Sequence, residues 1–136
     1  MEKKKNLQII TGLNRGGAEN HLLELCAGLK KNNFDVEVVV LRNILFLAPK
    51  FELIGVTVHC LAIANYLSLR GMFRLLRIIW RFRPDIVHAH LPPAELFAFL
   101  TKPFWKCSPR FVITKHLDGY FIDSLRLKLE TLTKMI

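Results

Sequence analysis

Short apolar runs alternate along this chain with stretches whose apolar residues recur at helical spacing, and this alternation limits the possible folds more than any other feature. Runs rich in Val and Ile that lie between polar segments are typical of buried strands in parallel sheets. The predicted strands are residues 7–10, 36–41, 56–61, 85–90 and 111–114. The predicted helices are residues 17–31, 68–83, 92 to about 100, and 122–135.

Strands that alternate with helices predict an α/β fold, here a Rossmann-like, doubly wound, mostly parallel sheet with helices on both faces. Residues 43–53 stay ambiguous, because Pro49 interrupts them and only Phe51-Glu52-Leu53 suggests a helical turn. In such folds ligands bind beyond the carboxyl ends of the strands. The segments after the predicted strands are therefore where we expect the functional residues.

The first of these segments, Thr11-Gly12-Leu13-Asn14-Arg15-Gly16-Gly17-Ala18-Glu19, joins a predicted strand to a predicted helix. Glycine lets the backbone turn tightly and lets a ligand approach closely. A helix N-terminus offers unpaired N–H groups and positive potential, which suit a phosphate or a carboxylate. The loop is therefore either one wall of a ligand site or a plain turn. We favour the ligand site because of its strand-end position.

Two common nucleotide motifs do not fit this loop. A dinucleotide fingerprint needs G-x-G-x-x-G, but Asn14 stands two residues after Gly12, and the second strand ends in Leu41-Arg42 without an acid. No G-K-[ST] follows the glycines, so a P-loop is also excluded. A nucleotide-dependent dehydrogenase is therefore disfavoured.

Composition indicates a globular protein, and its positive charge suits either anionic ligands or a protein that is merely basic. The 136 residues are 51% hydrophobic and 23% charged, with a formal net charge of +9. Such a charge suits nucleotide-linked substrates, acidic membranes or nucleic acid, although no recognition-helix or RNP-like motif supports nucleic acid. Three distant cysteines fit a reducing cytoplasm, and no apolar run is long enough for a signal peptide or a spanning helix. We expect a cytoplasmic protein, with possible peripheral attachment to the inner face of the cell membrane.

Two further motifs lie downstream in the chain. They are Arg83-Pro84-Asp85-Ile86-Val87-His88-Ala89-His90 and Phe111-Val112-Ile113-Thr114-Lys115-His116. Together with the glycine loop, and in this order and spacing, they resemble the group 1 glycosyltransferases, also called family 4, of the GT-B fold. The resemblance covers about residues 6–120. It implies an amino-terminal acceptor domain that faces a donor domain across a cleft, retention of anomeric configuration, and no metal or other cofactor.

The resemblance also implies roles for particular residues. Gly16 and Gly17 would lie against the diphosphate of a nucleotide sugar, and His116 would face the transferred sugar and the acceptor. Further substrate-binding candidates are Asn14, Glu19 and His90. Glu19 could instead stabilise the helix dipole. His116 with Asp118 could form a general-base pair, but we favour sugar binding and orientation for His116.

The family's second domain, with its basic diphosphate clamp, has no counterpart in residues 1–136, which we interpret as a single partial domain. We therefore expect the chain to transfer no sugar by itself. Two explanations stay open. The chain is a truncated enzyme, or it is a non-catalytic binding or scaffold subunit that works with a donor-domain partner chain. The expected ligands are a nucleotide sugar and a glycan or lipid-linked acceptor, as in polysaccharide or lipopolysaccharide assembly.

The histidines of the fourth predicted strand, His88 and His90, should point to the same side because strand side chains alternate. A metal pair is disfavoured because no third ligand is evident. Being nearer the strand end, His90 is the better candidate for acceptor contact, and His88 is expected to be buried and hydrogen-bonded.

Four arginines form a stripe on the third predicted helix. They are Arg70, Arg74, Arg77 and Arg81, at spacings of four, three and four. The stripe could lie on an anionic membrane, with Phe104-Trp105-Lys106 as a second anchor. It could instead be the solvated face of a crossover helix, and we favour this interpretation because parallel strands require a crossover here.

Overall fold

The structure, a computed structural model, describes residues 2–114. In this part of the chain five strands alternate with four helices. In chain order they are β1 (Lys5–Ile10), α1 (Gly17–Lys31), β2 (Asp35–Val40), α2 (Ala48–Leu53), β3 (Thr57–Cys60), α3 (Leu69–Phe82), β4 (Ile86–His90), α4 (Pro92–Thr101) and β5 (Arg110–Thr114). A 3-10 turn, Lys102–Phe104, follows α4. The helix predicted over residues 122–135 lies outside the described residues.

The strands form one sheet in the order β3-β2-β1-β4-β5, and every neighbouring pair is parallel. Ile10, at the end of β1, lies opposite Val40 of β2 and His90 of β4. Three central strands therefore end at the same level, and the loops that follow them meet at one edge. The predicted α/β, Rossmann-like parallel sheet is confirmed.

Alternate residues of each strand pack into two separate cores, as the period of a strand requires. Ile9, Val39 and Ala89 join residues of α3 and α4 on one face of the sheet. Ile10 and Val40 join residues of α1 and α2 on the other. Because both faces are covered, the strands are apolar almost throughout, and the sheet is doubly wound as expected.

The segment that the sequence left ambiguous contains a helix. Pro49 does not interrupt it, because α2 begins at Ala48 and Pro49 falls in its first turn. A proline there loses no helical hydrogen bond, since the first N–H groups of a helix have no intrahelical acceptor. The buried side chain of Phe51 then anchors α2 on the sheet.

Helix α3 is well delimited at both ends. The Ser68 hydroxyl accepts a hydrogen bond from the Gly71 N–H at 3.1 Å, which caps the first turn. Arg83 adopts a left-handed conformation (φ 52°) at the other end, and Pro84 follows. The two helix ends agree with the helix that the sequence predicted over residues 68–83. The four arginines of the stripe therefore all lie on one continuous helix.

Candidate functional site

The candidate site lies at the carboxyl edge of the sheet, where the loop after β1 pairs with the loop after β2. The Arg42 N–H donates to the Thr11 carbonyl at 2.9 Å, and the Leu13 N–H donates to the Ile44 carbonyl at 2.7 Å. The Leu47 N–H returns a bond to the Leu13 carbonyl at 2.9 Å. These ladder-like bonds extend the β1–β2 pairing beyond the strands and hold the glycine loop in place.

Gly12 serves this pairing of the two loops. A Cβ at Gly12 would lie 3.0 Å from the Cβ of Ile44, closer than ordinary packing allows. Gly12 is also buried. The close approach that this glycine permits is therefore between two segments of the chain, and any ligand role belongs to the later glycines.

Gly16 and Gly17 form the start of α1. Gly16 is its N-cap, with an extended backbone (φ −96°, ψ 171°) and no side-chain cap. Gly17 is exposed, and a Cβ there would meet no atom within 4 Å. The positive end of the helix therefore opens toward the carboxyl edge of the sheet, as an anion site would require.

The Glu19 carboxylate lies over Gly16. A Cβ at Gly16 would be 2.1 Å from Glu19 Oε2, so the carboxylate occupies the space that a side chain would otherwise take. An acid in this position stabilises the first turn through the helix dipole, which is one of the two roles considered for Glu19. A diphosphate at the same helix end would meet this negative charge, so it must displace the carboxylate.

Asn14 and Arg15 complete the loop on its exposed side. The Asn14 side-chain oxygen accepts from the Arg15 N–H at 2.9 Å. The guanidinium of Arg15 lies over the ring of Phe46, 3.9 Å from its centroid. Sequence reasoning missed both Arg15 and Phe46. The available signal was the apolar run Ile44-Leu45-Phe46 beside polar residues, which the structure places in an exposed loop.

Thr11 adds a polar group at the end of β1. Its hydroxyl oxygen is buried and has no hydrogen-bond partner in the structure described for residues 2–114. Buried hydroxyls usually have a partner, because a lost hydrogen bond costs about 1–3 kcal/mol. The sequence marked Thr11 only as the start of the glycine loop.

His88 and His90 lie on the same side of β4, as predicted, with ring centroids 4.1 Å apart. His90 is fully buried, and its Nε2 donates to the Gln8 Oε1 at 2.5 Å. The Gln8 amide in turn donates to Asn6 Oδ1, while His88 bonds to the Thr114 hydroxyl. A continuous row of polar side chains thus crosses β1, β4 and β5.

His88 is hydrogen-bonded as expected, but its burial is only partial. His90 is the fully buried member of the pair. The reason is that β4 lies between β1 and β5, so the end of the strand is enclosed by Gln8 and by the neighbouring imidazole. Acceptor binding by His90 remains a prediction, and it requires the His90 ring to become accessible.

The predicted arginine stripe lies on the exposed side of α3, and two of its members contact the sheet, Arg74 at the end of β3 and Arg81 at β2. Arg74 donates to the carbonyls of Leu61 and Cys60 at 2.7 and 3.1 Å. Arg81 lies 3.5 Å from the carboxylate of Glu37. Within residues 2–114 no helix is both long and apolar enough to cross a membrane.

The remaining candidates are the predicted His116–Asp118 pair, a metal site and a reactive cysteine. His116 and Asp118 lie outside the described residues. Among residues 2–114 no cluster of three His, Cys, Asp or Glu side chains could hold a metal ion. Burial raises the pKa of the Cys26 thiol to about 12, so Cys26 is protonated at neutral pH and unsuited to nucleophilic chemistry.

Comparison with known proteins gives a family and a fold. A family model described as Glycosyltransferase Family 4 matches residues 15–135. A glycosyltransferase from Rickettsia africae ESF-5 is similar in structure, with a TM-score of 0.67 and 16% identity, over 89% of this chain and 33% of that one. CalG4, the calicheamicin glycosyltransferase, gives a TM-score of 0.51 at 11% identity, over 98% of this chain and 38% of that one.

At these identities the structural likeness shows the fold alone. The chain spans about a third of the length of the Rickettsia structure. No curated protein sequence matches the chain.

Proposed function

The chain belongs to glycosyltransferase family 4, and we propose that it supplies the acceptor-side half of a retaining glycosyltransferase. In this proposal the complete enzyme moves a sugar from a nucleotide sugar to a glycan or lipid-linked acceptor, of the kind used in surface polysaccharide or lipopolysaccharide assembly. The observation that carries the proposal is the exposed glycine start of α1 at the carboxyl edge of a parallel sheet.

The chemistry of sugar transfer suits this helix start. Cleavage of the bond between sugar and diphosphate builds negative charge on the leaving phosphate. Backbone N–H groups at Gly16 and Gly17 can stabilise that charge with no proton transfer. Glu19 opposes an anion at the same place, so we propose that its carboxylate rotates away when a diphosphate binds and that Asn14 and Arg15 border the resulting space.

We assign His116 to sugar binding and orientation. An imidazole can donate a hydrogen bond through one ring nitrogen and accept through the other, which suits a sugar hydroxyl. A general-base role is not needed, because a retaining transfer does not require early deprotonation of the acceptor. No metal or other cofactor takes part in the proposed reaction.

The proposed site is half of a cleft. Donor specificity would come from a second domain or from a partner chain, and the residues present here would hold the acceptor and one side of the diphosphate. We therefore propose that this chain alone is inactive. The alternative, a non-catalytic subunit of a split glycosyltransferase, uses the same surface and differs only in where the donor domain is encoded.

Two measurements test the proposal. The chain is incubated with UDP- and GDP-linked sugars and a membrane lipid extract, and products are sought by mass spectrometry; turnover by the chain alone would contradict the half-site argument. Saturation-transfer NMR then compares glycans with UDP as ligands. We expect glycan signals from the wild-type chain, and UDP signals that decrease in an Asn14→Ala variant because Asn14 borders the proposed diphosphate space. Failure of every glycan and of UDP to bind would remove the substrate role from this edge.

A further inference from the structure

A groove of about 770 Å³ runs between α3 and β3, the outermost strand of the described sheet. It is distinct from the glycine loop. The strand side is formed by Val58, His59 and Cys60, and the helix side includes Arg74, Arg77 and Arg81. A smaller cavity of about 280 Å³ continues from it past Arg74 to Arg70. From Arg70 to Arg81 the helix rises roughly 16 Å, so the basic surface is extended.

The groove carries more positive than negative charge. Glu37 lies 2.9 Å from His59 Nε2 and 3.5 Å from Arg81, so one carboxylate is shared between two basic groups. Arg74 is hydrogen-bonded only to carbonyl oxygens in the described contacts, which leaves its charge uncompensated. No carboxylate of residues 2–114 forms an ion pair with Arg77. The groove is therefore suited to an anionic group.

An apolar ridge runs along α3 beside the arginines and includes one residue of the 3-10 turn that follows α4. It consists of Leu69, Phe73, Trp80 and Phe104, and three of these are well exposed: Leu69 (79%), Phe73 (55%) and Phe104 (62%). The ridge is ordered, because the Trp80 indole N–H donates to the Phe104 carbonyl at 2.9 Å and the Phe73 ring meets Trp80 edge-on at 6.1 Å. Lys106 lies over Trp80 at 4.2 Å.

We propose that this face of α3 docks on an anionic phospholipid surface, with lipid phosphates in the groove beside Arg77 and the apolar ridge in the boundary between head groups and acyl chains. A basic face beside exposed Leu and Phe is the pattern of helices that lie in a membrane interface. A solvated arginine stripe alone does not account for the exposed leucine and phenylalanines next to it. Nucleic acid would use the arginines but gain nothing from Leu69. The proposal does not depend on sugar transfer.

Vesicle sedimentation tests the charge. Wild-type chain should pellet with vesicles of phosphatidylcholine and phosphatidylglycerol but stay in solution with phosphatidylcholine alone. Each arginine near an anionic surface raises the partition coefficient onto the vesicles about fivefold. The double variant Arg70→Gln, Arg77→Gln should therefore have a partition coefficient roughly 25-fold lower. Neither arginine makes a hydrogen bond or an ion pair within the described part of the chain, so the fold should persist. Lys31→Gln with Lys50→Gln makes the same charge change on α1 and α2, across the sheet, and should have little effect.

A second pair of variants tests the apolar ridge. Phe73→Ser should weaken binding to the same vesicles. Leu53→Ser should not weaken it, because Leu53 lies on α2 and not on the ridge, although its side chain is 86% exposed. Trp80 emission should shift to shorter wavelength on binding. Trp105 is buried (2% exposed), so its emission should change little.

Three results would overturn the proposal. The first is that the wild-type chain does not bind the anionic vesicles. The second is that the lysine variant loses as much binding as the arginine variant. The third is that the chain binds a single-stranded oligonucleotide as tightly as the vesicles, that the oligonucleotide competes with the vesicles, and that Phe73→Ser does not change its binding. The last result would assign the groove to nucleic acid. None of these results bears on the glycine loop, so a failure here leaves the proposed sugar-transfer role in place.

Discussion

At Gly71 the backbone of α3 lies close to its neighbours, and Gly71→Ala therefore tests the packing of the helix that carries the arginines. A Cβ at Gly71 would lie 2.3 Å from Cγ2 of Ile63 and 3.4 Å from the Phe97 ring. Carbon atoms in contact normally stand about 3.5–4.0 Å apart. The Ile63 methyl belongs to a buried, branched side chain, so relief of the clash requires a new Ile63 rotamer or a movement of the loop or the helix.

Two effects oppose each other in this substitution. Alanine is favoured over glycine inside a helix by about 0.8–1 kcal/mol, whereas an extra carbon in a packed core costs about 1–3 kcal/mol. At 2.3 Å the steric cost should be the larger, and we expect a net loss of roughly 1–2 kcal/mol in the free energy of unfolding. Gly28 is the matched control, because it lies in α1 and a Cβ there meets nothing within 4 Å.

Urea denaturation measures both variants. Gly28→Ala should raise the midpoint and Gly71→Ala should lower it, with unchanged slopes. Ile63→Leu removes the offending Cγ2, so Gly71→Ala should cost less in that background, as a double-mutant cycle would show. A Gly71→Ala midpoint as high as that of Gly28→Ala would refute the reasoning, because it would mean that Ile63 moves aside at no cost.

Three further predictions concern the site and the core. Glu19→Gln should lower stability by about 0.3–1 kcal/mol at low salt, with the loss shrinking as salt is added; an unchanged urea midpoint would contradict the helix-terminal position of the carboxylate. Gln8→Met should cost about 1–3 kcal/mol by removing the acceptor of the buried His90 N–H; a neutral result in thermal unfolding would show that the polar row is dispensable. Because the folded pKa of Cys26 is raised from 9.0 to about 12, its protonated form stabilises the fold below pH 9, and stability should fall by about 1.4 kcal/mol per pH unit between these values. Cys26→Ala should remove that slope in urea titrations, and an identical slope in both proteins would exclude the thiol as its cause.

The candidate site joins local features to contacts that only the folded chain makes. The glycine start of α1 is a local feature, and its position at the carboxyl edge follows from the strand before it. The space over Gly16 is occupied by the carboxylate of Glu19, three residues further along the chain. The proposed binding of an anion would therefore exchange one negative group for another, and the substitution Glu19→Gln would weaken the competitor as well as the helix.

Much of the architecture follows from the sequence alone. Short runs of Val and Ile that are apolar on both faces are typical of buried strands in a covered sheet, and helices between such strands indicate parallel crossovers. The same-side placement of His88 and His90 follows from the period of a strand. The arginine stripe follows from helical spacing. The strands, the histidine pair and the arginine stripe each depend on residues close together in the chain, so the sequence pattern is sufficient to predict them.

Tertiary structure decided what those residues touch. His90 is buried because Gln8, 82 residues earlier, lies on the neighbouring strand. Gly12 is constrained by Ile44 of another loop, and Arg74 is bound to the carbonyl groups at the end of β3. Pro49 lies in the first turn of a helix whose Phe51 side chain packs into the core. Periodicity determines which way a side chain faces, but burial and hydrogen bonding depend on partners that only the packing of the sheet and helices brings together.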